Sequence, residues 1–504
     1  MYGCEHEGVK PQLIDFQAGV LSFCFFLCQK SEKVSFGVFV DTKIRVIYLI
    51  YKYLTCVLCL FTKREQGKVT TAAGHGKILI YRIKSVIDKR FPDLFEKFDE
   101  LTDPRARIEY SMMEIVTGAL FMFLLKETSR NAYNNDRRDA VFAKNYWQHL
   151  KLRLPHPDTI DDVMRILSTN EIEVLKSELV SSLIKQKLLR KFRFLGKFYF
   201  VAVDATGTHT FDHKHCEHCL TKTSKKGITT WFHYVLEAKL VTSAGHAISL
   251  ASEFIENIPG RDFEKQDCEQ KAFVRLAAKI KKHFPRLPVC ILADGLYPNN
   301  TVFAICRQYG WQFIITLKDG CLKTFHTEVE LLKATVQQRE VWRRDKTYNI
   351  KCDYNFLNDI EYGGHYYSWL SCKETKTRHT DGVVEIQTFV YMTNVKQALN
   401  NVVETADGGR LRWNIENEGF NIQKNRDYEL EHKFSQVSYQ ALQNYYQLLQ
   451  IAHMINQFVE RCADVAILLG QHSGQTIKAL WKDLIVYLKS IPYTQEQLMT
   501  FLSS

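Results

Sequence analysis

No stretch of this sequence offers the roughly 20 consecutive apolar residues that a membrane-crossing helix needs. The nearest, "VIYLIYKYLTCVLCLF" at 46–61, is 16 residues long and carries Lys52 near its middle, so no membrane partner is expected. A secretory leader, with charged start, apolar middle and small-residue cleavage site, is missing as well. The 14 cysteines are scattered, not set at short regular intervals. That excludes a disulfide-dense secreted scaffold and points to a reducing cytoplasm. No G-x-x-x-x-G-K-[ST] phosphate loop occurs, so ATP is not implied, and no Ser–His–Asp or Cys–His nucleophile signature is present. Internal repeats and low-complexity tracts are absent too.

What is there is a globular composition, 46% hydrophobic and 24% charged over 504 residues, which calls for two or three domains. The net charge of +11, from 67 Lys+Arg against 56 Asp+Glu, suits a polyanionic partner. Residues 1–75 hold five of the cysteines and apolar runs without caps or helical spacing. They read as an atypical extension, disordered or not native. Residues 76–195 read as a helical domain, with "HPDTIDDVMRIL" opening a helix at Pro157 and Asp158 or Thr159 as its cap. This domain ends in a cluster of Lys185, Lys187, Arg190, Lys191, Arg193 and Lys197, either a solvated helix end or a phosphate-contacting strip.

The pattern then changes. "KFYFVAVDATGTHTF" predicts a strand with Asp204 near its end, and "RLPVCILADGLY" a second with Asp294 at its carboxyl end. A helix at "NNTVFAICRQYG" and a strand at "WQFIITLKDG" complete an α/β arrangement over 196–319. Residues 320–400 read as further strands. Segment 401–460 carries a short helix, "RLRWNIENEGFNIQKN", and a long amphipathic one, and 461–504 is a helical tail.

At 100° per residue, Arg412 and Glu416 share a helix face, whereas Glu418 points about 200° away from Glu416. Glu416 is therefore the candidate. Two aspartates on neighbouring strands and one glutamate on a packed helix can hold two Mg²⁺ or Mn²⁺ ions, whose hard oxygen ligands these are. Such a pair activates a water or 3′-hydroxyl for in-line phosphoryl displacement. Arg412 would meet a backbone phosphate, and Trp413 would stack on an unpaired base or fill the core.

The order Asp204, Asp294, Glu416, with "VDATG", "LADGLYPN", "FVYMTNV" and "RWNIENEGFNIQKNRDYELEH", resembles the DDE transposases of bacterial insertion sequences, in the IS-four-like superfamily. The likeness runs from roughly 85 to 460 and includes "EKQDCEQKA" at 264–272. It implies an RNase H-like core interrupted by a β-rich insertion, which suits the 122 positions between Asp294 and Glu416. It further implies metal binding by Asp204, Asp294 and Glu416, DNA contact by Arg412, and cleavage and strand transfer at inverted-repeat ends of double-stranded DNA by a homodimer. Gly409 stands where the family commonly has Tyr, and Gln423 where it has Lys, with Lys424 one later as a flexible cation able to reach a phosphate. The alternatives are an inactive or domesticated DNA-binding relic and another RNase H-like nuclease.

"THTFDHKHCEHCLTK" adds a C-x₂-C among histidines. Cys216, Cys219, His213 and His218 are the candidate ligands of a small structural zinc site, and an exposed polar loop is the competing reading.

Overall fold

From Ala72 onward the chain forms α1 (Ala72–Arg90), α2 (Leu94–Asp99), α3 (Met112–Leu124), α4 (Arg130–Arg138), α5 (Ala140–Leu150), α6 (Pro157–Ile166) and α7 (Thr169–Lys185). These come from a computed structural model that describes residues 72–257, 266–318, 320–471 and 476–490. The apolar stretch at 46–61, most of the 1–75 extension and part of 264–272 lie outside the described residues. Among the described residues no helix is long and apolar enough to cross a membrane.

α3 is apolar all round and buried from Ile115 to Leu124. Its start is set by a reciprocal cap: Ser111 Oγ accepts from the Glu114 N–H, and the Ser111 N–H donates to Glu114 Oε2. α6 corrects one expectation. Its cap is His156, whose Nδ1 accepts from the Asp158 N–H at 3.2 Å, not Asp158 or Thr159. Pro157 takes the first helical position, as expected, where a missing N–H costs nothing, so the cap falls two residues before Asp158.

The sheet is built from β1 (Tyr199–Phe211), β2 (Leu220–Thr223), β3 (Thr229–Val241) and β4 (Ala247–Ile255), then β5 (Val289–Ala293) after helix α8 (Glu269–His283). Helix α9 (Asn300–Tyr309) leads to β6 (Gln312–Thr316). It is capped by Asn299 and stopped by Gly310 at φ 67°, a left-handed position that glycine adopts without strain. After α10 (Lys323–Leu331) come β7 (Gln337–Arg344), β8 (Tyr348–Tyr362), β9 (His365–Arg378) and β10 (Val384–Thr393). β1, β5 and β6 run parallel, β3 is antiparallel to β1, and β2 and β4 pair end to end along the far side of β3. β10 joins β6 antiparallel, so β10, β9, β8 and β7 extend the same sheet. The fold is thus mixed α/β with a mixed sheet.

Alternation along the strands separates two faces. Tyr199, Val201 and Val203 of β1 and Val289, Ile291 and Ala293 of β5 enter the large core shared with the helices. Phe200, Ala202, Cys290, Leu292 and Ile314 line a second core. Against that second face lies α11 (Val402–Arg410), followed by a π-turn at Ile415–Phe420 and α12 (Asn421–Asn425). Gly408 and Gly409 permit the approach: a Cβ on Gly408 would stand 2.4 Å from Phe200 Cζ, and one on Gly409 2.6 Å from Tyr391 Cε1. The β-rich segment supplies the floor for α11 through Tyr354, Phe356 and Leu370. It also clamps the helix with ion pairs, Arg343 to Asp407 at 2.9 Å and Arg410 to the buried Glu374.

The long helix α13 (Tyr439–Glu460) packs against α1, α3, α6, α7 and β4. It was expected to be amphipathic. Instead it is buried around its whole circumference from Asn444 to Gln457, because helices and sheet close over it from every side. α14 (Ala463–Gln471) follows, and α15 (Ile477–Leu488) returns onto α1. The described residues form one compact unit.

Burial of histidine in this unit has a measurable consequence. His246, between Phe192 and Phe458, is held down to about 4 by burial and by the charges of Arg461 and Lys191. Between pH 4 and 6.5 the unfolded chain binds the proton and the folded chain does not. Stability therefore rises with pH across that window and is lost on acidification, by roughly 3 kcal/mol at pH 4 for this one group. Urea midpoints measured from pH 7 to 4.5 should fall steeply in the wild type. They should fall less in His246→Gln.

Candidate active site

Phe200, Ala202 and Asp204 alternate onto one face of β1, as Cys290 and Leu292 do along β5, with Asp294 the first residue past its end. The strands are paired in parallel with Ala202 beside Leu292. The pairing ends there, and Asp294, two residues on, is close enough to Asp204 for its charge to act on that carboxyl. Asp204 is mid-strand, not near the strand end as expected, because β1 runs on to Phe211 in its pairing with β3.

The segment covering this face carries both glutamates. Hydrogen bonding shifts to i→i+5 after Asn414, with the Asn421 N–H reaching Glu416 O, and Asn414 Nδ2 donates to Thr242 O at 2.9 Å. Gly419 crosses Lys239 at the point where a Cβ would meet Lys239 Cδ at 3.2 Å. In this arrangement Glu416 and Asp294 both act on Asp204 electrostatically. Glu418 is turned to the turn between β3 and β4, where Arg461 Nη2 lies 3.6 Å from its Oε2.

Each aspartate has one oxygen fixed by the backbone and one facing a cation. Asp204 Oδ1 accepts from the Ala205 N–H at 3.0 Å, while Oδ2 faces Arg412 Nη1 at 3.5 Å. Asp294 Oδ1 accepts from the Leu296 N–H at 2.9 Å, while Oδ2 meets Lys318 Nζ at 2.7 Å. Burial raises the Asp204 carboxyl above its usual range, and the charges of Asp294 and Glu416 push the same way against Arg412. Burial opposes ionisation of Asp294 too, but Lys318 and the Leu296 N–H outweigh it and hold that carboxyl low. A group of hard carboxylate oxygens that repel one another in the absence of a cation fits the donor set for Mg²⁺ or Mn²⁺.

A fourth acid was missed. Glu269, the first residue of α8, lies in the field of both aspartates and accepts from Tyr297 Oη at 3.1 Å. Burial and those two charges raise its carboxyl. Tyr234 is pushed up to about 12 by burial and by Glu269, Asp204 and Glu416. The sequence signal was an acid at a helix start inside "EKQDCEQKA", which reads equally as a charge complementing the helix dipole.

The remaining expected residues fall in different places. Trp413 does not fill the core: it is 51% exposed, with the Arg412 guanidinium 4.5 Å from its ring centre. With Phe389, Arg410 and Asn417 it lines an open cleft of about 430 Å³. Lys424 is paired with Glu431 at 2.8 Å. Gln423 is wholly buried and donates to Gln450 Oε1 at 2.8 Å, so the position that is Lys in the resembled family serves packing here. The ring of Tyr391 fills the space a side chain at 409 would require. Arg190, Lys191 and Arg193 stand on and beside a 3₁₀ turn that precedes β1. Among the histidines, His213 is exposed and bonded to Asp212, and His218 pairs with Glu256 at 2.7 Å. Neither stands at ligand distance from the cysteines. His233 of β3 does: its Nε2 is 3.5 Å from Cys216 Sγ.

No protein-family model matches the chain, and no curated protein matches it.

Proposed function

We propose that the chain is a metal-dependent DNA transposase of the DDE type, with an RNase H-like core. The observation that carries this reading is the convergence of Asp204 and Asp294 from adjacent parallel strands with Glu416 from the segment packed over them. Arg412 stands 3.5 Å from Asp204. The support for the core is topological: the strand order β4–β3–β1–β5–β6, antiparallel then parallel, with α8 and α9 as connections and four further strands before the glutamate segment.

Asp204, Asp294 and Glu416 would hold two Mg²⁺ or Mn²⁺ ions. Those ions supply the charge that activates a water or 3′-hydroxyl and stabilises the leaving oxygen. Lys318 and Arg412 neutralise the aspartates beforehand, and Lys318, on a flexible stem, is free to move to a phosphate when a metal takes its place. Arg412, held over Trp413, presents its guanidinium beside the site for a backbone phosphate. The exposed Trp413 offers a stacking face for a base separated from its partner. Double-stranded DNA ends and target are the partners, and joining two ends calls for two protomers.

The test is Mg²⁺- or Mn²⁺-dependent nicking and strand transfer on DNA carrying the inverted repeats that flank the coding sequence. Both activities are expected. Nicking without transfer would make the protein a nuclease, and neither activity with DNA binding retained would make it a relic.

A further inference from the structure

Cys216 and Cys219 lie on the loop between β1 and β2, and His233 lies on β3, in register with His209 of β1. Cys219 and His233 are 4% and 2% exposed. Three distances define the group: Cys216 Sγ to Cys219 Sγ 3.6 Å, Cys216 Sγ to His233 Nε2 3.5 Å, and Cys219 Sγ to His233 Nε2 3.7 Å. A tetrahedral Zn²⁺, with Zn–S about 2.3 Å and Zn–N about 2.0 Å, has ligand-to-ligand edges of about 3.3–3.8 Å. The three atoms thus form one face of a zinc tetrahedron.

The fourth corner has a candidate on the same loop. His215 Nδ1 is buried and has no hydrogen-bond partner, while its Nε2 donates to Gln436 O at 2.7 Å. A donor bond from one ring nitrogen to a carbonyl is the outer contact that fixes a metal-binding histidine with its other nitrogen free. The ligand atoms of His215, Cys216 and His233 lie within 4.8 Å of one another, and closing the tetrahedron calls for a loop adjustment that brings His215 up to Cys219 as well.

We propose that Cys216, Cys219, His233 and His215 bind one structural Zn²⁺. Two thiols and two imidazoles select zinc over the oxygen-seeking Mg²⁺ of the carboxylate site. On binding, both cysteine S–H bonds break, two Zn–S bonds form, and two protons pass to solvent. The ion joins the loop after β1 to β3 and, through Gln436, to the chain entering α13. It would stand near the His209–His233 pair, about 16 Å along β1 from Asp204 by strand rise, with no open position for substrate. Its effect is to hold the strand that carries Asp204.

Full-length protein, purified without chelator, is assayed for bound metal and then titrated with Co²⁺ after zinc removal. About one zinc per chain is expected, together with the cobalt–thiolate charge-transfer and tetrahedral d–d absorption of a two-sulfur site. Cys216→Ser, Cys219→Ser and His233→Ala should each lower affinity more than tenfold, and His215→Ala by at least about tenfold, whereas His213→Ala and His218→Ala keep the metal. The cobalt spectrum of the wild type decides the matter even where a cysteine variant fails to fold. A wild type that carries no zinc and stays featureless with Co²⁺ overturns the proposal. So does a Cys216–Cys219 disulfide in the purified chain, or zinc that depends on His213 or His218 instead of His233.

Discussion

Glu416→Gln is expected to lower Mg²⁺-dependent nicking by on the order of 10³-fold or more, while Glu418→Gln leaves it close to wild type. The magnitude follows from removing one anionic ligand from a site where metal charge stabilisation is worth several kcal/mol, at about 1.4 kcal/mol per factor of ten. Glutamine keeps the shape and the helical preference, so the loss reports charge and ligation, not packing. The contrast rests on direction. Glu416 acts on Asp204 beside Arg412, whereas Glu418 faces Arg461 and the turn between β3 and β4. Steady-state nicking of end-containing DNA with matched circular dichroism spectra is the measurement. Equal losses in the two variants would mean that the segment turns differently from the π-turn described, and an unaffected Glu416→Gln would remove the metal site.

The second large effect is on stability. Lys176→Met should cost about 3–5 kcal/mol, and Lys176→Met combined with Glu237→Gln should recover a good part of it. Lys176 is 1% exposed, and its Nζ donates to Ser249 Oγ at 2.7 Å and Ser252 Oγ at 2.9 Å. Ser249 in turn donates to Glu237, which also accepts from Tyr446 Oη at 2.8 Å. Burial pulls the Lys176 ammonium below its usual range, and Glu237 and Glu173 hold it up. Deleting the cation alone leaves Glu237 charged in the core with less to balance it. Deleting both charges removes that imbalance but takes Glu237 away from the buried Lys239 as well, so the recovery is partial. Urea midpoints of the two single variants and the double variant form the cycle. If the double loss equals the sum of the single losses, the two groups are not coupled and Lys176 acts through packing alone.

The sequence by itself determined the elements whose signal is local. The β-branched and aromatic runs at 199–211 and 289–293, the Asn299 cap with Gly310 as stop, and the apolar α3 each follow from residues within one turn or strand. The two aspartates were visible because each closes an apolar run before a small residue. Their shared face follows from strand parity, but their meeting needs the register of β1 on β5, which no local pattern encodes. For the glutamate segment, a 3.6-residue period separates Glu416 from Glu418 but does not show that hydrogen bonding slips to i→i+5. At its start Asn414 reaches Thr242, and the preceding helix is seated by Gly408 and Gly409 meeting Phe200 and Tyr391, all distant in sequence.

Only the tertiary structure decided which histidines stand at the cysteines. His213 and His218 are nearer to C-x₂-C in the chain than His233, yet antiparallel pairing of β1 with β3 brings His233 to within 3.5 Å of Cys216. Trp413 was decided the same way. It lies just before the π-turn, whose Ile415 and Phe420 are the residues buried against the sheet, and it is left on the solvent side. Local periodicity states what a residue prefers, and which residue meets which is set by the long-range pairings that close the core.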